Sequence, residues 1–387
     1  MTAIDRDQER EILEEMEYGE RLLHLAGKRV NRGTFLKVGG ATAAFAALAG
    51  LPEEAIARGN LTKNFGLIEI VAAAFFTQIF NTPMAGYLKP LGWTLHVATE
   101  EGQPTKGYTE CQQFTLENYG IIANSTSDPM AGWESVARAA TKKGICFIAH
   151  NPQALGPATQ SVCFDHKFAG IQIGKHAVAW ARRNHISKPV VALLANLGDP
   201  EGKKRTDWAW NTIKAAFPGA KLAGQVNVIT NQQQGSTGAA NLLSAHPDIN
   251  MMIAFNTVAG LGAPKAIEQA GHSNRNKFYF AMVDYEVAAG ALIKQGTIVQ
   301  ACWGSYFAQS GILMCKDGIT YYNGKYIYPT RRLGGVVIST GPQVTAYDDT
   351  QAHPLAPKYS WIYHNKNFVR YSGKRLATGQ SIDTIFP

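Results

Sequence analysis

The side chains able to do chemistry in this 387-residue chain recur just after short apolar runs. Phe75 and Phe76 follow the first such run, Asp128 the third and His150-Asn151 the fourth. Asp165-His166, Asn196, Asn256, Asp284-Tyr285 and Trp303 follow later ones. Carboxylates and amides hold vicinal hydroxyls in bidentate fashion, and aromatic faces pack on the C–H side of a sugar ring. The set therefore points to a polyhydroxylated small ligand. A single Asp or Asn at a strand end is equally explained as a helix cap, so the weight rests on the set.

Other chemistries find less support. Gly198-Asp199-Pro200-Glu201-Gly202-Lys203 opens a helix where a phosphate loop would sit, but it is one residue short of that spacing. Lys204 also stands where a Ser or Thr would bind magnesium. Gly260-Leu261-Gly262 lacks a third glycine, no G-x-S-x-G elbow occurs, and the ten histidines show no H-E-x-x-H spacing. Cys111, Cys146, Cys163, Cys302 and Cys315 form no C-x-x-C pair and no zinc spacing, so neither a metal nor a cofactor is expected. Cys146 and Cys163 lie in neighbouring strand candidates; a bridge is open to them, and burial as small apolar residues is the plainer account.

The elements that must position these groups alternate. Strand candidates are Leu67–Ala73, Trp93–Ala98, Gly120–Ala123, Ile145–Ala149, Ser161–Phe164, Val190–Leu194, Leu222–Ile229, Met251–Phe255, Phe278–Val283 and Ile298–Ala301. Several are continuously apolar, as strands buried on both faces are. Helical spacing runs between them, as in Ala169–Arg182 and Gln234–Leu243. Alternation of this kind predicts an α/β fold with parallel sheets and right-handed crossovers. About ten strands exceed one ordinary sheet, so two lobes are expected. From about Ala346 the pattern gives way to polar and aromatic residues, including Trp361, Tyr363 and Phe368.

Before the first strand, Asn31-Arg32-Gly33-Thr34-Phe35-Leu36-Lys37 leads into a run of about fourteen almost charge-free residues, Val38 to Leu51, then Ala55-Ile56-Ala57. A basic patch, a short apolar segment and a small-x-small ending read as an export leader over residues 1–57. The stretch resembles the twin-arginine signal, with Gly33 in place of the second arginine. Seven basic and ten acidic residues lie in this leader, so thirty basic against nineteen acidic leave +11 for the rest. The basic residues are scattered, which favours anionic surfaces slightly and gives no nucleic-acid tract.

Residues 65–345 resemble the sugar-binding, type I periplasmic receptors of ABC importers. The resemblance is carried by Gly66 to about Pro90, Leu91-Gly92-Trp93-Thr94-Leu95, Ser127-Asp128, and Ser161 to Asp165 with Gly170 and Gly174. It continues through Leu243, His246-Pro247-Asp248 and Phe255-Asn256, then Ala266 to Gly271, Met282-Val283-Asp284 and Ile293 to Thr297. It implies two Rossmann-like lobes joined by a hinge, with residues 62–164 plus 303–330 in the first lobe and 165–302 plus 331–345 in the second. Residues 346–387 form a C-terminal extension. It implies that Asn256 and Asp284 bond ligand hydroxyls, that Phe75 or Phe76 stacks on the ring, and that Arg205, or Lys203 or Lys204 beside it, binds the ligand. The family's Asp-Arg pair after the fourth strand is His150-Asn151 here, and Trp303-Gly304 replaces a glutamine. The implied function is non-enzymatic: a monomeric extracytoplasmic receptor delivers a sugar or polyol to the membrane subunits of an ABC importer. The alternatives are an exported α/β enzyme acting on glycosides, with Asp128, Asp165 and Asp284 as candidate carboxylates, and a ligand sensor for a membrane receptor.

Overall fold

A computed structural model describes residues 60–70, 76–101, 103–126, 130–150, 155–228, 231–341, 343–344, 360–364 and 367–371. The expected leader lies outside these residues. The chain divides between Gly59 and Asn60, and every described residue follows that point.

Two sheets organise the molecule. In the first half, β1 (Thr62–Glu69), β2 (Thr94–Thr99), β3 (Tyr119–Ser125), β4 (Cys146–His150) and β5 (Gln160–Phe164) alternate with α1 (Thr82–Leu88), α2 (Pro104–Leu116) and α3 (Met130–Lys142). The second half runs β6 (Val190–Ala195), β7 (Lys221–Asn227), β8 (Met251–Ala254), β9 (Tyr279–Val283) and β10 (Val299–Ser305). Its helices are α4 (His166–Arg183), α5 (Pro200–Ala216), α6 (Gln232–Ala245), α7 (Thr257–Gly260), α8 (Ala263–Gln269) and α9 (Val287–Lys294). There follow α10 (Phe307–Tyr322), β11 (Thr330–Leu333), β12 (Gly335–Ile338), β13 (Ser360–His364) and β14 (Asn367–Tyr371). The first sheet has the order β11-β5-β4-β3-β1-β2 and the second β14-β13-β12-β10-β9-β8-β6-β7.

Neighbours in the first sheet are all parallel, as are β7, β6, β8, β9 and β10 in the second. Beyond β10 the second sheet turns antiparallel through β12, β13 and β14. This is the two-lobed α/β architecture that the alternation predicts. Every residue of β3, β4, β5, β8, β9 and β10 is buried, because helices cover both faces of a parallel sheet.

All ten strand candidates form. The first is displaced: β1 ends at Glu69, and its exposed start Thr62-Lys63 is polar, so apolar content alone sets its bounds too late. The lobe boundaries also differ from those expected. Strand β10 stays in the second sheet through Ser305, so the crossing into α10 comes after Trp303. Strand β11 adds to the first sheet as far as Leu333, and only Gly334 separates it from β12 in the second. The chain therefore crosses between sheets three times, after Phe164, after Ser305 and at Gly334. Strands β13 and β14, within the stretch expected as an extension, pair antiparallel on the edge of the second sheet.

The cysteines are free and buried, as small apolar residues would be. His150 of β4 is level with Val162 of β5, so Cys146 and Cys163 lie about five positions apart along the strands, on the order of 16 Å. Helices α4 and α5 pack closely because α4 carries glycine at the contact. A Cβ on Gly170 would stand 2.4 Å from the Arg205 carbonyl oxygen, and one on Gly174 would stand 2.7 Å from Thr212 Cβ. Their approach brings the start of α4 against the start of α5.

Candidate functional site

Three consecutive basic residues lie in the first two turns of α5, and only one turns inward. Lys203 pairs with Asp207 and Lys204 with Glu201 on the outer side. Arg205 lies on the buried stripe with Gly202, Thr206, Ala209 and Ile213, a helical spacing, and is 9% exposed. Asp199 caps this helix through the Glu201 amide, which explains the Gly198–Lys203 segment as a helix start.

Arg205 gathers three partners at the carboxyl ends of the second sheet. Its Nε donates to His166 Nδ1 at 2.5 Å, and its Nη1 donates to Phe255 O at 3.0 Å and Asp284 Oδ2 at 2.7 Å. Asp284 directly follows β9 and holds φ 68°, a left-handed conformation that Asp tolerates better than most residues. His166 is the first residue of α4, behind the Asp165 cap. Burial, and then the charges of Arg205 and Lys204, hold its ring well below the usual histidine range, so it is neutral. Because Arg205 donates to Nδ1, the ring proton sits on Nε2.

Two polar atoms of this group are buried without a partner: the Nε2 of His166 and the Oδ1 of Asp284. One is a donor and the other an acceptor, the pair that a hydroxyl group satisfies at once. Leaving such groups desolvated and unmade is costly, on the order of 1–3 kcal/mol each. Asn256 follows β8 beside them and is 7% exposed; its Oδ1 accepts from the Ala259 amide at 3.0 Å, capping α7. Glu286 directly precedes α9 and accepts from Thr257 Oγ1 at 3.0 Å; burial, and more weakly the Asp284 charge, raise its carboxyl.

The remaining predicted residues fall elsewhere. Asp165 Oδ1 accepts from the Phe168 amide at 2.7 Å, and its Oδ2 faces Arg332 of β11 at 4.0 Å, so it caps α4 and ties two crossings together. Trp303 is 3% exposed and sits two residues short of the end of β10. It shares a face with Ala301 and packs edge-on against Phe168 at 5.8 Å, in the core under α4. Phe76 opens a π-helical turn, Phe76–Asn81. Phe75, Asp128 and Asn151 lie outside the described residues.

His150 is a core residue of the first lobe. Its ring stacks on Phe80 at 5.0 Å and meets Phe164 at 5.3 Å and Phe307 at 6.5 Å, next to two of the crossings. Its Nδ1 is 2.9 Å from Ser125 Oγ and its Nε2 3.0 Å from Ser310 Oγ. Burial pushes its pKa down to about 3. Sequence reasoning missed Glu69, the last residue of β1. This carboxyl is 2% exposed, accepts from Asn81 Nδ2 at 3.2 Å, and is pushed up to about 7 by burial, which that bond only partly offsets. A lone Glu at the end of an apolar run, Leu67-Ile68-Glu69, was the available signal.

Among the described residues, no helix is long and apolar enough to cross a membrane, and no group of three or more His, Cys, Asp or Glu is placed to hold a metal.

Similarity to known proteins agrees with the two-sheet fold. The ribose import binding protein RbsB of Escherichia coli (strain K12) is 27% identical over 195 residues, 48% of this chain and 60% of that protein. The chain thus spans well under two thirds of that curated relative. An ABC transporter periplasmic solute-binding protein from Actinobacillus succinogenes, solved with D-allose, superposes with a TM-score of 0.65 at 19% identity, covering 73% of this chain and 99% of that one. A second from Bacillus halodurans, with bound myo-inositol, gives 0.66 at 18% identity and covers 75% and 98%. The model of the periplasmic binding protein domain matches residues 70–320, and with that match over most of its length the chain belongs to the periplasmic binding protein family.

Proposed function

We propose that this protein is an extracytoplasmic, non-enzymatic receptor that binds a small sugar or polyol between its two lobes and delivers it to an ABC importer. The observation that carries the reading is the unpartnered pair at the tips of the second sheet, His166 Nε2–H and Asp284 Oδ1, on either side of Arg205. A ligand hydroxyl completes both, and Arg205 holds the two groups in place. Asn256 stands beside them, and Phe75, Phe76, Asp128 and Asn151 are the contacts assigned to the first lobe. Asp165 and Trp303 support the site as a cap and a core residue. Ligand preference for the closed arrangement of the lobes shifts an open–closed equilibrium, and the importer reads the closed form. The relatives' cargo supports the sugar or polyol class: ribose import in one, D-allose and myo-inositol bound in others.

A thermal-shift screen of sugars and polyols tests this. A ligand at about 100 times its dissociation constant adds about 2.7 kcal/mol of stability. Asp284→Asn keeps a side chain that tolerates φ 68° and removes the anion. It is expected to abolish the ligand-induced shift while the apo protein still melts cooperatively. Full affinity in this variant, or turnover of a glycoside by the wild type, would refute the assignment.

A further inference from the structure

At the tips of the first sheet the polar groups have a different character. Glu69 shares a face with Phe65 and Leu67, and the register sets it level with Ser125 of β3. Ser125 in turn is level with His150 of β4, since Asn124 pairs with Ala149. The three groups form a row across the sheet, under α10. Hydrogen positions along the row follow from its far end. Ser310 Oγ donates to Phe307 O at 2.7 Å, so His150 must donate from Nε2 to Ser310. The bare Nδ1 then accepts from Ser125, whose oxygen keeps open lone pairs.

Once Glu69 is ionised, three acceptors are gathered at the end of β1. Glu69 Oε1 and Asn81 Oδ1 are buried without partners, and Ser125 Oγ lies beside them in register. Among the described residues no cation answers Glu69: the elements packed on its face bring Asn81, Ser125, the neutral His150 and Ser310. Glu100 turns to the opposite face, against Gly107 and Trp133. A buried carboxylate needs a charged or strongly donating partner. A hydroxyl would bring one proton and set its own lone pairs against the other acceptors. An ammonium brings three protons and the missing charge.

We propose that the group a ligand presents to the first lobe is a protonated amine, held by Glu69 Oε1, Asn81 Oδ1 and Ser125 Oγ, which makes the ligand an amino sugar or amino polyol. The inference rests on the receptor reading above and narrows its ligand class. The second lobe, with its mixed donor and acceptor, takes the hydroxyl side of the same molecule. At pH 7 the free Glu69 carboxyl, raised to about 7 by burial, is about half protonated, so pairing with the amine completes its ionisation and releases a fraction of a proton to solvent.

The test is calorimetric titration of the full chain at pH 7 with matched pairs: glucose and glucosamine, galactose and galactosamine, myo-inositol and an amino-inositol. The expected result is at least one amine binding about tenfold or more tighter than its parent, as a charge-assisted bond predicts. Its enthalpy should also vary with buffer because protons are released. Glu69→Gln should erase both the preference and the proton release, so that amine and parent bind alike, and melt no lower than wild type. Should that variant fail to fold, Asn81→Ala must lower the same preference. Equal binding of amine and parent, or a preference that survives Glu69→Gln, overturns the inference. If neutral members bind and Asp284→Asn abolishes that binding, the receptor reading stands alone. If no member binds wild type, both fall.

Discussion

At the scale of single residues, buried polar groups that burial keeps uncharged recur in both lobes. His150 and His176 are pushed down to about 3 and about 4 by burial, and His166 lies well below its usual range. In the unfolded chain each titrates near 6.5, so the unfolded state takes up the extra protons. The stability these neutral rings contribute is complete above about pH 6.5 and is lost as pH falls toward their folded values. Glu69 acts in the opposite sense: its raised carboxyl favours the folded state at low pH, with the benefit lost as pH rises through about 7. Burial also raises the Glu286 carboxyl and lowers the His272 ring, so two carboxyls stand against four histidines and the histidines win. Unfolding free energies from denaturant titrations are expected to fall between pH 6.5 and 4, by about 1.4 kcal/mol per unit for each uncompensated ring. His150→Gln should flatten that slope; an unchanged profile would mean that the ring is charged or hydrated in the fold. Asp284 was legible in the sequence because it ends an apolar run. His166 was legible only as a histidine near a strand end, since its role depends on Arg205, 39 residues away.

At the scale of elements, the site depends on how closely α4 and α5 approach. Gly170→Ala would drive a methyl group into the Arg205 carbonyl oxygen, which stands 2.4 Å from the Cβ position. Overpacking of this kind costs about 1–3 kcal/mol, and here it also displaces Arg205 and with it His166 and Asp284. A lower melting temperature and weaker ligand binding are expected together; a stable, fully binding variant would show that the helices have room. The buried stripe Gly202, Arg205, Thr206, Ala209, Ile213 could be read from helical spacing alone. The short strands β11 to β14 could not: Thr330-Arg331-Arg332-Leu333 has no apolar alternation. It is a strand because β5 offers it an edge and Asp317 and Tyr328 hold Arg331. Trp303 was misplaced for a related reason. An apolar run fixes where β10 starts, while its continuation to Ser305 depends on pairing with β9 and β12.

At the scale of the whole molecule, the two sheets share three crossings, beside which lie Phe164, Leu333 and Val336 of one core cluster, with Phe307 packed against it. A receptor that closes on its ligand should become more compact, so a bound sugar or polyol is expected to reduce the radius of gyration measured by small-angle scattering. A ligand that binds without any contraction would argue for a rigid body. The same crossings have a consequence for biogenesis. The first sheet needs β11 at its edge and α10 against one face, and both are encoded after the entire second set of parallel strands. A chain halted near residue 165 would therefore carry five strands with an uncovered greasy side. Translation must be nearly finished before either half has its full complement, and premature termination or C-terminal clipping should yield aggregates rather than a surviving lobe.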